Sequence, residues 1–294
     1  MTGQELRVRG LAVWKNLKSV QPLKGGVSNA SFTVEDAVGR FVVRVGEDYP
    51  FHQVCRTREA VASRAAFEAG LSPEVVHTEK GLMVVRHIDA TTYQEADVRT
   101  NHEACVAIIL RCHRDMGKRV GGQGAIFWVF QILRDYAATL NSAKHNRFAE
   151  IPRWMRIVDG LEGAQVPLPI VFGHHDLLPT NFMDDGKRLW LIDWEYGAFG
   201  TAMFDLANIA AANSFDENLE NQMLLQYFGR VPDLATLRAY YAMKVAAALR
   251  EAMWGMISEI YLKAPGVDYV AYAGEYLGRF ESILKNYETR FETL

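Results

Sequence analysis

The sequence contains few cysteines and no cysteine pair. Its three cysteines are Cys55, Cys105 and Cys112, and none of them belongs to a CxxC motif. An odd number of cysteines without such pairs is typical of a reducing compartment rather than of a disulfide scaffold. Two of the thiols lie near His102 and His113, but no Cys and His have the spacing of zinc ligands, and we expect no zinc site. The sequence therefore favours a cytoplasmic protein.

A long apolar segment and an excess of charge of one sign are also absent. The first ten residues, MTGQELRVRG, have no apolar signal core, and the most apolar helical stretch near the C-terminus is interrupted by Lys244 and Arg250. We therefore expect neither secretion nor membrane insertion. The formal net charge is -3, with both signs spread along the chain, which argues against a nucleic-acid groove. The expected partner is a small molecule, and the oligomeric state stays open, with a homodimer as one alternative.

The chain does contain enough apolar sequence for a large core. Hydrophobic residues make up 49% of its 294 residues, and this length suits one large domain or two lobes. Residues 18–90 have the character of strands with one helix, whereas most of the chain after residue 100 has helical character. We predict an α+β fold with a small antiparallel-sheet lobe at residues 1–89, a connector at residues 88–92, and a larger, mostly helical lobe at residues 90–294.

Turn signals divide the strands of the first lobe into hairpins. ASFTVED and RFVVRVG alternate around Val38 and Gly39, and EVVHT and GLMVVRHI flank a turn at residues 79–81. Between them, TREAVASRAAFEAG is alanine-rich and stops at Gly70, with Pro73 just beyond, which is a helix-ending pattern. The predicted order is three strands, a helix and two strands.

The second lobe is predicted to be helical on both sides of a short island of strands. Helical patterns near residues 101–116 and 126–145 precede this island, which covers residues 170–193. Within it, the dipeptide Asp185-Gly186 predicts a two-residue hairpin that joins NFMD to KRLWLID.

The C-terminal part of the second lobe is predicted to contain four or five helices. They lie between about residue 203 and residue 290, and they are interrupted at Pro232 and at Ala264-Pro265-Gly266.

The island carries a compact group of polar side chains. In FGHHDLLPTNF, Asp176 precedes Asn181 by five residues, and Asp193 follows twelve residues later at the end of the apolar segment LWLID. Phosphoryl transfer from a nucleotide requires a carboxylate that orients and deprotonates the acceptor hydroxyl, together with oxygen ligands for magnesium. Asp176 suits the first task, and Asn181 and Asp193 suit the second. The alternative is that Asp176 and Asn181 only form turns and that Asp193 ends a strand.

Other chemistries fit this segment less well. An HHxxxDG acyl-transfer motif requires Asp and Gly where the chain has Pro179 and Thr180. A metallohydrolase could use His174, His175 and Asp176 as ligands, but three consecutive side chains rarely face one ion unless the loop is sharply bent.

The spacing of Asp176 and Asn181 resembles the catalytic loop of the protein-kinase-like superfamily. The words HHDLLPTNF and LIDWEYGAFGTAMFDLAN are similar to the choline/ethanolamine kinase branch, close to the aminoglycoside phosphotransferases. The resemblance covers most of the chain and implies a two-lobed, protein-kinase-like fold. It implies that Asp176 is the catalytic base, that Asn181 and Asp193 are magnesium ligands, and that His174 and Asp205 support the site.

A second segment, CHRDMG, contains the HRD motif of protein kinases, which HHDLLPTNF matches less closely. Its context differs, because Val120 stands five residues beyond Asp115 and cannot supply a side-chain oxygen ligand. We expect Asp115 to be a solvated or capping residue.

The first lobe should then hold the nucleotide, which the resemblance implies to be ATP with Mg2+. In LKGGVSNASFTV, Gly25 and Gly26 would let the chain approach phosphates, while Ser28 and Asn29 would donate hydrogen bonds. The segment has neither a GxGxxG nor a Walker A motif, and a plain hairpin turn is the alternative.

A cation on the third strand strengthens the nucleotide prediction. Arg44, in FVVRVG, resembles the phosphate-pairing residue on the third strand of kinases, which is usually Lys and is often Arg in choline-kinase-like sequences. Arginine keeps its charge and binds phosphate bidentately. Glu59, on the following helix, is its expected ion-pair partner, and an ordinary exposed strand residue is the alternative for Arg44.

The resemblance also implies an acceptor pocket in the C-terminal third of the chain. A quaternary ammonium is held by aromatic faces and a nearby carboxylate. Each aromatic residue could instead belong to the core, and the chain has Ile257 where the family often has a second Trp. The residues that match the choline-kinase pocket are Glu195, Tyr196, Trp254, Tyr269 and Tyr272.

We therefore expect an ATP-dependent phosphotransferase that acts on an alcohol, with choline as the first choice and ethanolamine as the next. Phosphorylation of an aminoglycoside, a sugar or another metabolite would use the same catalytic residues with a different pocket. The alternative from another class is a catalytically idle, kinase-like protein that binds a ligand or a partner.

Overall fold

The computed structural model describes residues 2–23, 29–264 and 266–291 of the chain. It is an α+β structure, as predicted, in which an antiparallel-sheet region precedes a helical region. The sheet region contains α1 (Gly3–Arg9), β1 (Leu17–Leu23), β2 (Ala30–Asp36), β3 (Gly39–Val45), α2 (Arg56–Glu68), β4 (Val75–Glu79) and β5 (Leu82–Arg86).

The five strands form one antiparallel sheet in the order β1-β2-β3-β5-β4. Both predicted hairpins are present, with Asp36 opposite Gly39 in the first and Glu79 opposite Leu82 in the second. The predicted order of three strands, a helix and two strands is confirmed, and α1 is an addition before it.

Alternation of apolar and polar residues gives the sheet one buried face. Phe32 and Val34 of β2 are buried, as are Phe41 and Val43 of β3, because side chains alternate across a strand. These residues form a hydrophobic cluster with Val8 of α1. The sheet and α1 therefore share a core of their own.

Helix α2 packs into a different core. Its residues Ala62, Ala65 and Ala66 are buried in the large hydrophobic cluster of the helical region, together with Val54 and Leu71. The small alanine side chains let the helix approach that core closely. α2 therefore ties the sheet region to the helical region.

The helical region contains three groups of elements. The first group is β6 (Thr91–Thr92), α3 (Glu95–Thr100), α4 (His102–Asp115), α5 (Val129–Ser142) and α6 (Ile151–Gly163). The second is β7 (Ile170–Gly173), β8 (Phe182–Asp184), β9 (Leu189–Leu191) and β10 (Ala198–Thr201). The third is α7 (Ala202–Ala212), α8 (Glu217–Phe228), α9 (Leu234–Tyr261) and α10 (Tyr269–Phe291).

The predicted helices of this region are confirmed, whereas α3 and α6 were not predicted. Helices α4 and α5 correspond to the patterns predicted near residues 101–116 and 126–145, and α7 to α10 match the predicted four or five C-terminal helices. Helix α6 has Pro152 in its first turn, where proline is tolerated.

The predicted hairpin at Asp185 is present, but its turn is longer than two residues. Asp184 pairs with Leu189, so that four residues lie between β8 and β9. The Asp185 carboxylate accepts hydrogen bonds from the N–H groups of Lys187 and Arg188, both at 2.9 Å. This side-chain acceptor stabilises a wider turn than the Asp-Gly pair alone would form.

Helix α9 is the central helix of the region. It is 28 residues long and most of its residues are buried, with α5, α7 and α10 packed around it. Among the described residues, no helix combines the length and apolar character needed to cross a membrane.

Candidate active site

The loop between β7 and β8 carries the predicted catalytic residues and bends sharply at its start. His175 has a φ of 63°, in the left-handed region. A Cβ atom on Gly173 would lie 2.7 Å from His175 Nε2 and 2.9 Å from Asp205 Oδ2. Glycine at this position therefore lets an imidazole and a carboxylate fold back against the backbone.

Asp205 of α7 holds this loop through the backbone. Its carboxylate oxygens accept hydrogen bonds from the N–H groups of His174 and His175, at 2.8 and 2.7 Å. Burial opposes the ionisation of Asp205, but the surrounding imidazoles lower its pKa below the ordinary value. One helical turn later, the side-chain oxygen of Asn208 accepts a hydrogen bond from the N–H of Leu177 at 2.6 Å. Two side chains of α7 thus fix the backbone on both sides of Asp176.

His113 of α4 is a further contact of Asp205. Its Nε2 lies 2.9 Å from Asp205 Oδ2, and its Nδ1 lies 2.8 Å from the hydroxyl of Tyr227. An ionised carboxylate only accepts hydrogen bonds, so Nε2 donates to Asp205. His113 belongs to CHRDMG, whereas Asp115 of the same segment ends α4 and pairs with Arg114 at 2.7 Å.

The two histidines of the loop have separate surroundings. His174 Nε2 lies 2.8 Å from the carbonyl oxygen of Ile192. His175 stacks on Phe127, with ring centroids 4.1 Å apart, and burial lowers the pKa of His175 to about 4. No group of three or more His, Cys, Asp or Glu side chains able to hold a metal occurs within the described part of the chain. The geometry therefore gives no support to the metallohydrolase alternative.

Asp176, Asn181 and Asp193 converge at the mouth of this loop. Asn181 Nδ2 lies 2.8 Å from the carbonyl oxygen of Asp176 and 3.2 Å from its Oδ2. Asp193 follows β9 with a φ of 68°, a left-handed conformation that aspartate tolerates better than most residues. This turn brings the Asp193 carboxylate to the sheet region.

Arg44 of β3 connects the sheet region to Asp193. Its Nη1 lies 3.0 Å from Glu59 Oε1, which is the predicted ion pair, and its Nη2 lies 2.8 Å from Asp193 Oδ1. Glu59 also pairs with Arg56 at 2.6 Å, and Arg56 pairs with Glu195 at 2.9 Å. Burial disfavours the charge of Arg44, but Asp193 and Glu59 outweigh it and raise the pKa of Arg44. The guanidinium therefore stays cationic.

The electrostatic surroundings of Asp176 suit a proton acceptor. Burial raises its pKa well above the ordinary value, and the negative charges of Glu251, Asp193 and Glu195 raise it further, while Arg250 opposes them. A carboxylate that is destabilised as an anion takes up a proton more readily than an exposed aspartate does.

These side chains line one cavity of about 530 Å³. The predicted site residues on its wall are Asn29, Arg44, Asp176, Asn181, Asp193, Glu195, Tyr196, Trp254 and Tyr272. Behind the wall lie Glu59, His174 and Asp205, and the Tyr269 ring packs against Trp254 with centroids 6.2 Å apart. Gly25, Gly26 and Ser28 lie outside the described residues.

Aromatic side chains form another part of the cavity wall. Trp254 Nε1 donates a hydrogen bond to the hydroxyl of Tyr196 at 3.0 Å, and the indole stacks on His52 with centroids 5.0 Å apart. Tyr272 meets Trp254 at a steep angle, with centroids 5.6 Å apart. His52 Nε2 in turn lies 2.8 Å from the hydroxyl of Ser258. The orientation of Trp254 is thus fixed on its edge and on one face.

Arg250 and Glu251 of α9 also line the cavity and were not predicted. They form an ion pair with each other, and the Tyr272 hydroxyl donates to Glu251 Oε2 at 2.9 Å. Arg250 Cζ lies 4.4 Å from the centre of the Tyr196 ring. Their signal in the sequence is spacing, because residues three and four positions before Trp254 share its helix face.

The donor set near Asp176 fits magnesium. Asn181 and Asp193 provide amide and carboxylate oxygens, and the wall of the cavity carries four carboxylates against two guanidinium groups. Mg2+ prefers such oxygen ligands and usually keeps several waters, so that two protein ligands are enough.

Comparison with known proteins agrees with this geometry. A probable ethanolamine kinase of Arabidopsis thaliana is 29% identical over 218 residues, which cover 66% of this chain and 56% of that protein. The solved structure of a choline/ethanolamine kinase family protein from Mesorhizobium loti is 26% identical, with a TM-score of 0.77, covering 96% of this chain and 93% of that one. Choline kinase LicA from Streptococcus pneumoniae has the same fold, with 20% identity, a TM-score of 0.78, and coverage of 97% and 99%.

A family model also matches most of the chain. The matches span only 56% to 65% of the length of the curated relatives. The model of the phosphotransferase enzyme family, however, matches residues 19–240, which include β1 to β5, the loop with Asp176, and the first turns of α9. The resemblance inferred from HHDLLPTNF is confirmed, and the chain belongs to the phosphotransferase enzyme family.

Proposed function

We propose that this protein is a kinase that transfers the γ-phosphoryl group of ATP to the hydroxyl of a small cationic alcohol, with choline or ethanolamine as the acceptor. The observation that carries the proposal is a single cavity that is lined by two chemically different sets of side chains. One set is Asp176, Asn181 and Asp193, and the other is Trp254 and Tyr272. The names of the similar proteins, which include a choline kinase and a probable ethanolamine kinase, support the same substrate class.

Asp176 acts as the general base in this proposal. It would accept the proton of the acceptor hydroxyl as the oxygen attacks the phosphoryl group, and its raised pKa matches that task. The hydrogen bonds from Asn181 to its carbonyl and carboxylate orient the side chain. Asp205 and His174 would act as positioning residues that hold the loop.

The nucleotide lies on the sheet side of the cavity in this proposal. Arg44 is held by Glu59 and would bind phosphate oxygens, and Asn29 lies on the same wall. Asn181 and Asp193 would hold Mg2+, which when bound neutralises the charge that develops on the phosphoryl oxygens.

The acceptor lies at the aromatic end. A trimethylammonium or ammonium group is attracted to the faces of Trp254 and Tyr272, which are kept in place by neighbouring rings. Aligning the hydroxyl with the phosphoryl group would supply most of the rate acceleration.

The test is ADP release by the purified protein with Mg-ATP and, separately, choline, ethanolamine, an aminoglycoside and a sugar alcohol. We expect turnover with choline or ethanolamine, and we expect Asp176→Asn to lower kcat by about 10²- to 10⁴-fold. Turnover with only an aminoglycoside or a sugar would show that the acceptor belongs to a different class from the one proposed. Binding of ATP without turnover of any alcohol would favour the idle ligand-binding alternative.

A further inference from the structure

We infer that the carboxylate that receives the ammonium group of the acceptor is Glu251 of α9, and not Glu195. The inference rests on the proposed function and names the residue that selects a cationic alcohol. Glu251 does not stand out in the sequence, but the structure places it on the wall of the same cavity as Asp176.

Glu195 belongs to the ion pairs of the nucleotide side. Its Oε2 lies 2.9 Å from Arg56 Nη1. Burial and the charge of Asp193 raise the pKa of Glu195, and the charges of Arg44 and Arg56 oppose this rise. Arg56 is also held by Glu59. A ligand cation would have to compete with two guanidinium groups for this carboxylate.

Glu251, in contrast, is held by groups of the acceptor end. Its side chain is only 6% exposed, its Oε1 pairs with Arg250, and its Oε2 accepts a hydrogen bond from the Tyr272 hydroxyl at 2.9 Å. A carboxylate has about four lone-pair positions, so two contacts leave room for a ligand cation. Trp254 lies one helical turn beyond Glu251 on the same face of α9.

The aromatic faces point to the same corner of the cavity. Arg250 lies over the Tyr196 ring at 4.4 Å, so that one face of this ring already has a cation from the protein. Trp254 and Tyr272 meet beside the hydroxyl that binds Glu251. A ligand cation near these two rings therefore lies close to the Glu251 carboxylate.

The position of Glu251 in the cavity also fits a short amino alcohol. Glu251 and Asp176 line the same cavity. Choline and ethanolamine have only two carbons between nitrogen and oxygen. An ammonium group beside Glu251 would leave the hydroxyl within reach of Asp176.

The test compares choline with 3,3-dimethylbutan-1-ol, which has the same shape without the charge. We expect the wild-type protein to prefer choline in kcat/KM, and we expect Glu251→Gln to lower this preference on the order of ten- to a hundredfold. The KM for ATP should stay the same. Because both alcohols are compared within one variant, a general loss of catalytic competence cancels from the ratio.

Two further variants keep the test clear. Glu259→Gln is the matched control, since Glu259 is on the same helix, pairs with His145 at 3.2 Å, and should leave the preference unchanged. If Glu251→Gln leaves Arg250 unpaired and fails to fold, the double variant Arg250→Met, Glu251→Gln removes both charges and should lose the preference as well.

The outcomes separate the two claims. Wild-type preference for choline that persists in Glu251→Gln or in the double variant would overturn the inference while leaving the proposed function intact. Loss of the preference in Glu195→Gln alone would overturn it in favour of Glu195. Absence of turnover with every alcohol would overturn the proposed function and the inference together.

Discussion

At the scale of single residues, the catalytic role proposed for Asp176 conflicts with the effect of this residue on stability. Its ionised form is disfavoured by burial and by nearby carboxylates, so its pKa in the folded protein lies well above the ordinary 3.8. The folded state therefore binds this proton more tightly than the unfolded chain does. The stability that this difference contributes is present in acid and is lost as the pH rises through the folded-state pKa.

We therefore expect Asp176→Asn to be more stable than the wild-type protein at neutral pH, although the proposed function predicts that it is nearly inactive. The difference in Tm should shrink as the pH falls towards 4, because the carboxyl group is then protonated in the folded wild-type protein and the unfolded chain approaches its own pKa of 3.8. Thermal unfolding of both proteins between pH 4 and pH 8 measures this. A wild-type protein that is more stable at neutral pH would contradict the prediction.

Asp185 provides a control, because its pKa is shifted in the opposite direction to that of Asp176. Hydrogen bonds from Trp190 Nε1 and from the N–H groups of Lys187 and Arg188 lower the pKa of Asp185. Its contribution to stability is present above the unfolded-state pKa and is lost as the pH falls. Asp185→Asn should therefore lower Tm at neutral pH without a large change in kcat.

At the scale of elements, α9 and α10 together build the proposed acceptor site. α9 supplies Glu251 and Trp254, and α10 supplies Tyr272. The two helices can approach because Gly255 has no side chain: a Cβ atom there would lie 2.9 Å from Tyr272 Cδ1 and 3.2 Å from Ala273 Cβ. The shape of the pocket thus depends on one close helix contact.

Gly255→Ala should disturb this contact. We expect the free energy of unfolding to fall by about 1–3 kcal/mol, because an added methyl group overpacks the interface. The displaced Tyr272 should raise the KM for the acceptor while the KM for ATP stays close to that of the wild type. Denaturant titration and steady-state kinetics measure the two effects.

Gly278→Ala is the matched control on α10. A Cβ atom at Gly278 meets no atom within 4 Å, and alanine is a better helix former by about 0.5–1 kcal/mol. This variant should be slightly more stable, with unchanged KM values. If Gly255→Ala behaved in the same way, the close contact would not limit the pocket.

At the scale of the whole molecule, the two hydrophobic cores do not follow the boundary between the sheet region and the helical region. α2 is surrounded in sequence by strands of the sheet, yet its alanines lie in the core of the helical region. His52, which precedes α2, binds Ser258 and stacks on Trp254 of α9. Separation of the two regions would therefore break a shared core.

We expect unfolding in one cooperative transition rather than in two. Trp14 packs in the sheet core beside Phe41, with ring centroids 5.4 Å apart, and the other five tryptophans lie after residue 100. The fluorescence of the wild-type protein minus that of Trp14→Phe gives the signal of Trp14. This signal should change at the same denaturant concentration as the far-UV circular dichroism signal. An earlier change in the Trp14 signal would show that the sheet region unfolds separately.

The sequence predicted those features that depend on neighbouring residues. The hairpins of the sheet region follow from alternation and turn residues, and the five-residue spacing from Asp176 to Asn181 is a local property of one loop. Arg44 and Glu59 were predicted as partners from the resemblance, and the structure contains their ion pair.

Features that depend on distant parts of the chain were not predicted. Glu251 becomes a site residue only because α9 lines the same cavity as Asp176, and His113 only because α4 brings it to Asp205 of α7. Helix α6 was not predicted, and burial of Trp154 and Val158 stabilises it. Tertiary packing overrides local preference at such places.

The ion pair between Arg44 and Asp193 means that the cleft contains its own counter-ion when no nucleotide is bound. In the proposed reaction, Arg44 would exchange the carboxylate of Asp193 for phosphate oxygens, and Asp193 would become available to hold the metal. Neither side chain would be left with an uncompensated charge before or after this exchange. Binding and release of the nucleotide would then only change the ionic partners of Arg44 and Asp193. Neither charge would be left unpaired between catalytic cycles.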